Sequence, residues 1–334
     1  MANFFNRKDD AQLDEFKIKL EREISKRKEA ERLLEEKSLE LYYARQALEE
    51  KLVLVEKQNS TIEAYTQELL AIQDQLSESL HEITDSIQYA RRLQRGLLQS
   101  SSILAECLNG FCIYEPKSIV GGDFYWYHIQ DEKICFAAGD CTGHGVPGAM
   151  MTMFAIQALH NIILQQDFRG DLQEILSRMH EMLVYMLNQN EPNAAKDGMD
   201  MAICRFNRST LMLEYASALL PVWIVRGNEL IKLPINRRPV GGSDYYQNAF
   251  WANQFQLLPG DICYLFTDGL QDQFNPEYKK IGSRRIGSLL LEIRTLSMPE
   301  QKEKILAFLN QWRGNIEQQD DIFMTGIRVD DRLQ

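Results

Sequence analysis

Glycine and proline are missing from the opening quarter of the chain: of 19 glycines and 9 prolines in 334 residues, the first are Gly96 and Pro116. Nothing before them interrupts a helix. Paired cysteines are missing as well. Cys107, Cys112, Cys135, Cys141, Cys204 and Cys263 stand apart, mostly inside apolar runs and never as Cys-x-x-Cys, which reads as reduced core thiols in a cytoplasmic protein. Basic excess is absent: 37 Lys and Arg stand against 48 Asp and Glu, a net charge of -11, so nucleic acid is excluded as the main partner. No run of about 18 apolar residues occurs and Met1 opens a polar segment, which argues against a membrane span or a secretory leader.

What is present is first a rhythm. Every seventh residue from Leu20 gives Leu20, Arg27, Leu34, Leu41, Leu48, Val55, Ile62, Leu69, Leu76, Ile83, Ala90 and Leu97, apolar at eleven of twelve places. The companion seam runs Ile24, Glu31, Ser38, Arg45, Leu52, Asn59, Thr66, Gln73, Leu80, Ile87 and Gln94, and is apolar at only four of eleven. A sustained heptad needs a partner helix to bury its stripe, and polar seam residues such as Asn59 fix register at a cost in stability. Residues 10–98 are therefore expected to form a parallel dimeric coiled coil, suited by its soft seam to a regulatory role. A basic cluster, Arg91, Arg92 and Arg95, closes it and complements the helix dipole. Ser100 to Ser102 read as a short linker.

From residue 105 to 331 the period changes. Aromatic and β-branched runs at 111–115, 123–129, 133–138, 199–206, 211–216, 222–225, 261–267 and 322–329 predict strands. Amphipathic stretches at 147–164, 172–187, 285–294 and 300–312 predict helices. Strands in groups and helices in pairs indicate an α+β domain rather than alternating βαβ units.

Acids recur at the ends of these runs. Gly121-Gly122-Asp123-Phe124-Tyr125, Ala138-Gly139-Asp140-Cys141-Thr142-Gly143-His144-Gly145, Thr267-Asp268-Gly269 and Asp320-Asp321-Ile322 each set an Asp at a strand boundary. Any one of them reads equally as a cap or a turn. Together, carboxylates converging on one rim repel unless a hard cation lies among them. An oxygen-only donor set favours magnesium or manganese over zinc.

These motifs, with Asp197-Gly198-Met199-Asp200-Met201-Ala202, stand in the order and spacing of bacterial PPM-type metal-dependent serine/threonine phosphatases. The chain resembles their sporulation stage II protein E subfamily over roughly residues 105 to 330. The resemblance implies a central antiparallel β-sandwich flanked by helix pairs and a centre of two Mn2+ or Mg2+ ions that activates water against phosphoserine or phosphothreonine. It implies Asp140 as the bridging ligand, Asp123 and the main-chain carbonyl of Cys141 at one ion, and Asp268 and Asp320 at the other. Asp321 beside them is a further candidate ligand, and Asp197 lies where some relatives gather an accessory ion. His144 either protonates the leaving oxygen or braces its turn. The implied substrate is a phosphorylated regulatory protein such as an anti-sigma-factor antagonist, with an upstream sensor protein acting through the coil.

Two departures from the family pattern stand out. A histidine common after the strand containing Tyr215 is absent from Ala216-Ser217-Ala218-Leu219-Leu220-Pro221, and Trp126 replaces a frequent Asp. Two other readings compete. Gly121-Gly122-Asp123-Phe124 resembles the turn of diguanylate cyclases but leaves the other acids unexplained; a coiled-coil scaffold that binds phosphoproteins with little turnover would use the same site without catalysis.

Overall fold

The computed structural model describes residues 6–98, 108–165, 170–191, 193–242 and 250–329, with the side chains of 6–12 and 165 left aside. Cys107 and the expected linker at 100–102 lie outside the described residues. The chain divides into two compact units, Met1–His81 and Glu82–Gln334.

The first unit lies within one helix, α1 (Asn6–Leu97), which ends where the first glycine appears. Its surface carries ion pairs one turn apart, such as Arg45 with Glu49 at 3.0 Å and Lys19 with Glu15 at 3.3 Å. The heptad residues are exposed in the single chain, Leu34 by 72%, Leu41 by 70% and Leu48 by 61%, so the helix has an apolar stripe and no core.

The second unit contains the last turns of α1 and two antiparallel sheets. β1 (Gly110–Glu115), β2 (Asp123–Gln130) and β3 (Lys133–Cys141) lead into α2 (Gly145–Gln165) and α3 (Leu172–Met186). β4 (Gly198–Asn207), β5 (Met212–Ala218), β6 (Val222–Arg226), β7 (Glu229–Lys232), β8 (Val240–Gly241), β9 (Asn253–Gln256) and β10 (Ile262–Phe266) follow, then α4 (Asp268–Asp272), α5 (Gly282–Ile293), α6 (Met298–Arg313) and β11 (Ile322–Arg328). One sheet has the order β1-β11-β10-β6-β7, the other β2-β3-β4-β5-β9 with β8 on β4.

Alternation along the strands builds the layers. On β10, Cys263 and Leu265 join the core between the sheets, while Ile262, Tyr264 and Phe266 face the other way and pack with Ile286, Leu290, Ile305 and Leu309 of α5 and α6. On the opposite sheet α2 and α3 bury Leu159, Ile163, Leu176 and Met179 in the main core. The result is an antiparallel sandwich between two helix pairs. Among the described residues, the stretch long and apolar enough to cross a membrane, Gly145–Leu164, is this core helix, half buried in the domain. Cys112, Cys135, Cys141, Cys204 and Cys263 are buried free thiols.

Helix ends follow local chemistry. Asp171 caps α3 by accepting from Gln173 N–H at 3.3 Å, and Ser297 with Glu300 closes a capping box on α6. Three differences from the sequence expectation matter. β3 runs on to Cys141, so Asp140 lies in the ladder rather than beyond it, and α2 starts at Gly145, with Pro147 in its first turn. β7, β8, β9 and α4 were not legible: they are two to five residues long, and β9 reads Asn-Gln-Phe-Gln.

Candidate metal centre

Register brings the acids into a row. Asp123 opens β2 and pairs across the ladder with Asp140 of β3, which pairs in turn with Asp200 of β4. Like charges directly opposite one another in neighbouring strands are unfavourable, so these positions oppose the fold that creates them. From the other sheet come Asp268, in the first turn of α4 just after β10, and Asp320 and Asp321, just before β11. Asp140, Cys141, His144, Asp200 and Asp320 line one cavity of about 470 Å3 with Lys196, the single lysine or arginine in its lining among the described residues.

Close main-chain approach holds the rim together. A Cβ on Gly122 would lie 2.6 Å from the Gly143 carbonyl oxygen and 2.9 Å from that of Cys141, so only glycine lets the Asp123 and Asp140 turns meet. Gly143, at φ +89°, makes its turn in the left-handed region. Cys141 N–H donates to Gly122 O at 3.1 Å and Thr142 N–H to Gly198 O at 2.9 Å, which ties β2, β3 and β4 together at this rim.

The carboxylates differ in what satisfies them. Asp123 is 1% exposed; its Oδ2 accepts from the Thr267 hydroxyl at 2.8 Å, while its Oδ1 is buried with no hydrogen-bond partner. Burial, then the Asp140 charge, pushes its carboxyl well above the usual range. Asp140 is raised to about 8 by burial and by Asp268, Asp320 and Asp200, and it shares a hydrogen bond with Asp268. Asp268 is raised by burial and by Asp320, and Asp200 to about 6 by burial and by Asp268. Such shifts mean that the fold gathers more negative charge at this rim than its neighbouring cations, such as Lys280 beside Asp268, offset. Among the described residues no three of these side chains already close into a ligating cluster.

The donor set nevertheless fits a hard divalent cation. It consists of oxygens only, it concentrates negative charge, and one buried carboxylate oxygen has no other partner. Asp321 is placed differently. Its Oδ1 accepts from Lys117 N–H at 2.7 Å and its Oδ2 from Gly122 N–H at 2.6 Å, so both oxygens already brace main chain. Burial raises its carboxyl, and these two bonds oppose the rise. Asp197 contributes its carbonyl, which accepts from Gln189 Nε2 at 2.5 Å and Gly242 N–H at 3.2 Å, and it is not among the residues lining the cavity. His144 is exposed at the cavity wall and, among the described residues, has no hydrogen bond to its turn.

Both departures from the family pattern acquire a location. Trp126 is buried and stacked on His128, with its edge toward His160 of α2, so it serves the helix layer and does not line the cavity. Leu219, with φ +64°, lines the cavity where relatives often carry histidine. The sequence reading passed over Asp200 and Lys196 as site residues. Asp200 stood in a quoted motif, and only its register with Asp140 marks it; Lys196 had no signal beyond its place one residue before Asp197.

The model of the family "Stage II sporulation protein E (SpoIIE)" matches residues 130–330, a span that starts just after the Gly121-Gly122-Asp123 motif. Among solved structures, the SiaA-PP2C domain of Pseudomonas aeruginosa is 31% identical, covering 75% of this chain and 99% of that one, with a TM-score of 0.69. The PP2C phosphatase domain with a regulatory-domain fragment of SpoIIE from Bacillus subtilis is 17% identical over 66% of this chain and 62% of that one, TM-score 0.55. The RsbU and RsbW domains of Rv1364c from Mycobacterium tuberculosis give 17% identity, 66% and 59% coverage, and a TM-score of 0.54. These two likenesses speak to the fold alone. Comparison with curated proteins gave no match. The family is metal-dependent in general, in keeping with the donor set described above. The chain therefore belongs to the stage II sporulation protein E family and carries a PP2C-type serine/threonine phosphatase domain.

Proposed function

We propose that this protein removes phosphate from serine or threonine of a phosphorylated regulatory protein, such as an anti-sigma-factor antagonist, with two Mn2+ or Mg2+ ions held at the carboxylate rim. The observation that carries the reading is the set Asp123, Asp140, Asp268 and Asp320, gathered at one rim, with a buried Asp123 oxygen that has no hydrogen-bond partner among the described residues. Asp140 would serve both ions, Asp123 and the Cys141 carbonyl one of them, and Asp268 and Asp320 the other. Bound there, the ions would supply Lewis acidity that lowers the pKa of water and offsets the charge of the phosphoryl oxygens.

The chain's own groups do the rest. Lys196 supplies the cavity's lysine charge toward an anionic substrate, and Thr267 keeps Asp123 turned by its 2.8 Å hydrogen bond. His144 would give a proton to the departing serine oxygen; its exposure, and the lack of a hydrogen bond to its turn among the described residues, support that role over bracing the loop. Asp321 braces the main chain before Asp123 and is assigned no ion. Asp197 is likewise assigned to the loop.

The proposal extends to assembly. The exposed heptad stripe supports a parallel homodimer through the α1 coil in the cytoplasm, with an upstream sensor protein acting on that coil. The test of the central reading is phosphate release from para-nitrophenyl phosphate and phosphoserine peptides with Mn2+ or Mg2+. Release that requires the ion and disappears in Asp140→Asn and Asp268→Asn supports it. No release with any divalent ion favours the phosphoprotein-binding scaffold.

A further inference from the structure

Between α4, whose first turn carries Asp268, and α5 the chain makes a short hairpin. The segment Tyr278-Lys279-Lys280-Ile281-Gly282-Ser283-Arg284-Arg285 holds four cations and no acid, in a chain whose net charge is -11. All four cations are exposed. Lys280 pairs with Asp272 at 2.7 Å and Arg285 lies over the Trp312 ring at 4.6 Å, while Lys279 and Arg284 have no acid partner among the described residues.

Bonds at its base and tip hold the hairpin in one shape. Gln273 is fully buried at the base, where its carbonyl accepts from Ile281 N–H at 3.2 Å and from Trp312 Nε1–H at 3.1 Å, and its Nε2 donates to Glu317 O at 3.2 Å. Phe274 and Lys280 pair in antiparallel fashion. At the tip Asn275 closes a clamp: its N–H donates to Lys279 O at 3.1 Å, its Oδ1 accepts from Lys279 N–H at 2.8 Å, and its carbonyl accepts from Tyr278 N–H at 2.8 Å. The clamp holds Tyr278 at φ +56°, a left-handed conformation that tyrosine rarely adopts, with 75% of the residue exposed. Such strain persists only where surrounding bonds over-determine it. Here they order a side chain that the domain leaves in water.

Location adds to this. Lys280 is bonded to the last residue of α4, Ser283 Oγ donates to Gln271 Oε1 of the same helix at 2.7 Å, and Gln319 N–H, next to Asp320, donates to Gln273 Oε1 at 3.3 Å. The hairpin therefore flanks the acid rim without lining its cavity. A phosphoester confined to the cavity leaves it free, whereas a protein whose phosphorylated residue enters the cavity has neighbouring surface to lay across it. Charged groups at the edge of an interface select partners of opposite sign, and Tyr and Arg are enriched among the residues that dominate interfaces.

We infer that Tyr278, Lys279 and Arg284 form a docking surface for the phosphorylated protein substrate, and that this substrate carries acidic side chains around its phosphorylated residue. The inference rests on the phosphatase reading of the carboxylate rim. Tyr278 is the anchor, and the cations set the sign of the partner.

Two synthetic phosphoserine peptides of equal length test it, one flanked by glutamates and one by lysines, with the full chain and saturating Mn2+. The parent should hydrolyse the glutamate peptide with a kcat/KM about tenfold higher, a preference that fades in about 0.5 M salt. Tyr278→Ala and the double variant Lys279→Glu/Arg284→Glu should each raise KM for that peptide about tenfold, the scale of an interface hot spot, with kcat within about twofold. The double variant should also reverse the preference. Lys133→Glu, an exposed charge change at the opposite end of β3 from Asp140, should do neither.

A parent without the preference, or either variant folded with parental KM for the glutamate peptide, overturns the inference. So does a loss confined to kcat, since the hairpin would then serve Asp268 and not a partner. Should Tyr278→Ala fail to fold, the double variant, which changes two exposed side chains, decides. A parent that hydrolyses neither peptide sinks the phosphatase reading instead. Binding of the same two peptides, followed by fluorescence anisotropy, then decides the docking surface: a glutamate preference lost in the double variant supports it, and equal binding overturns it.

Discussion

The helical unit ending at His81 and the sandwich that begins after it leave opposite things unsatisfied. In the first, ionic groups sit in water beside partners one turn away, while Leu20, Leu34, Leu41, Leu48, Val55, Ile62, Leu69 and Leu76 are all about half exposed or more. In the second, most apolar side chains are buried in two continuous cores, while Asp123, Asp140, Asp200 and Asp268 share one rim with carboxyl pKa values driven upward. Uncovered apolar area is relieved by another apolar surface, and gathered carboxylates are relieved by protons or a cation. The same chain therefore calls for two kinds of completion. Each can be removed without touching the other.

The largest effect should come from the acid rim. Asp140→Asn is expected to lower metal-dependent phosphatase kcat/KM by at least ~10^3-fold, on the order of 4 kcal/mol of transition-state stabilisation. The same change removes a buried charge from among Asp268, Asp320 and Asp200. The metal-free variant should thus unfold at no lower urea concentration than the parent near pH 8.5. An inactive variant that is also markedly less stable would mean that Asp140 holds the fold together and is not a strained ligand.

The helical unit should respond next. Burying a leucine contributes roughly 1.5–3 kcal/mol, and a dimer buries each heptad position twice. Leu48→Asp should accordingly weaken dimerisation at least about a hundredfold, seen as a fall in mass by analytical ultracentrifugation. Phosphate release from para-nitrophenyl phosphate, a substrate too small to need a docking surface, should change far less. A parent chain that sediments as a monomer at tens of micromolar would remove the coiled-coil proposal.

How much of this was legible in the sequence divides along the same line. The rod is a local pattern: a stripe repeated every seven residues with no Gly or Pro to break it, so its helix could be read directly. Asp123, Asp140, Asp268 and Asp320 were legible as acids at strand ends beside glycine, and the resemblance assigned them roles. Asp200 was not, because its meaning arises only from the ladder that sets it opposite Asp140. Gln94 was read as a soft seam position, since nothing local reveals a bond to a glycine 27 residues onward. β9 was missed for a related reason: a polar edge strand is held by its pairing with β5 and not by its own composition.

A smaller effect follows from the raised carboxyls. Asp140, at about 8, and Asp200, at about 6, lie above the 3.8 of an unfolded chain. Between about pH 4 and 8 the folded state therefore holds more protons than the unfolded one, and stability falls as pH rises through that window. Urea midpoints in EDTA should decline from pH 5 to pH 8 and then level off, with a flatter profile for Asp140→Asn. With saturating Mn2+ the trend should reverse, because binding takes the ionised carboxylates. A parent midpoint that climbs with pH in EDTA would contradict the charge-gathering account.

The smallest effect tests the rod's ionic surface. Arg45 and Glu49 are 3.0 Å apart but 81% and 61% exposed, whereas in the sandwich Asp261 is 2% exposed, meets Arg226 and also accepts from Leu258 N–H at 2.8 Å. Exposed pairs one turn apart contribute about 0.3–0.5 kcal/mol, because water screens them and two long side chains must be ordered. Asp261→Ala removes the carboxylate partner of the Arg226 guanidinium, which keeps its bond to Gln256 O, and leaves the Leu258 N–H without its acceptor; hydrogen bonds to charged groups are worth about 1.5–3 kcal/mol each. Glu49→Gln should thus shift helix melting, followed by circular dichroism, by an amount close to experimental error and vanishing in 0.5 M salt, while Asp261→Ala lowers the sandwich's urea midpoint clearly. A Glu49→Gln effect as large as that of Asp261→Ala would mean that the pair is covered in the assembled coil, and that the dimer buries a wider face of α1 than the heptad stripe alone.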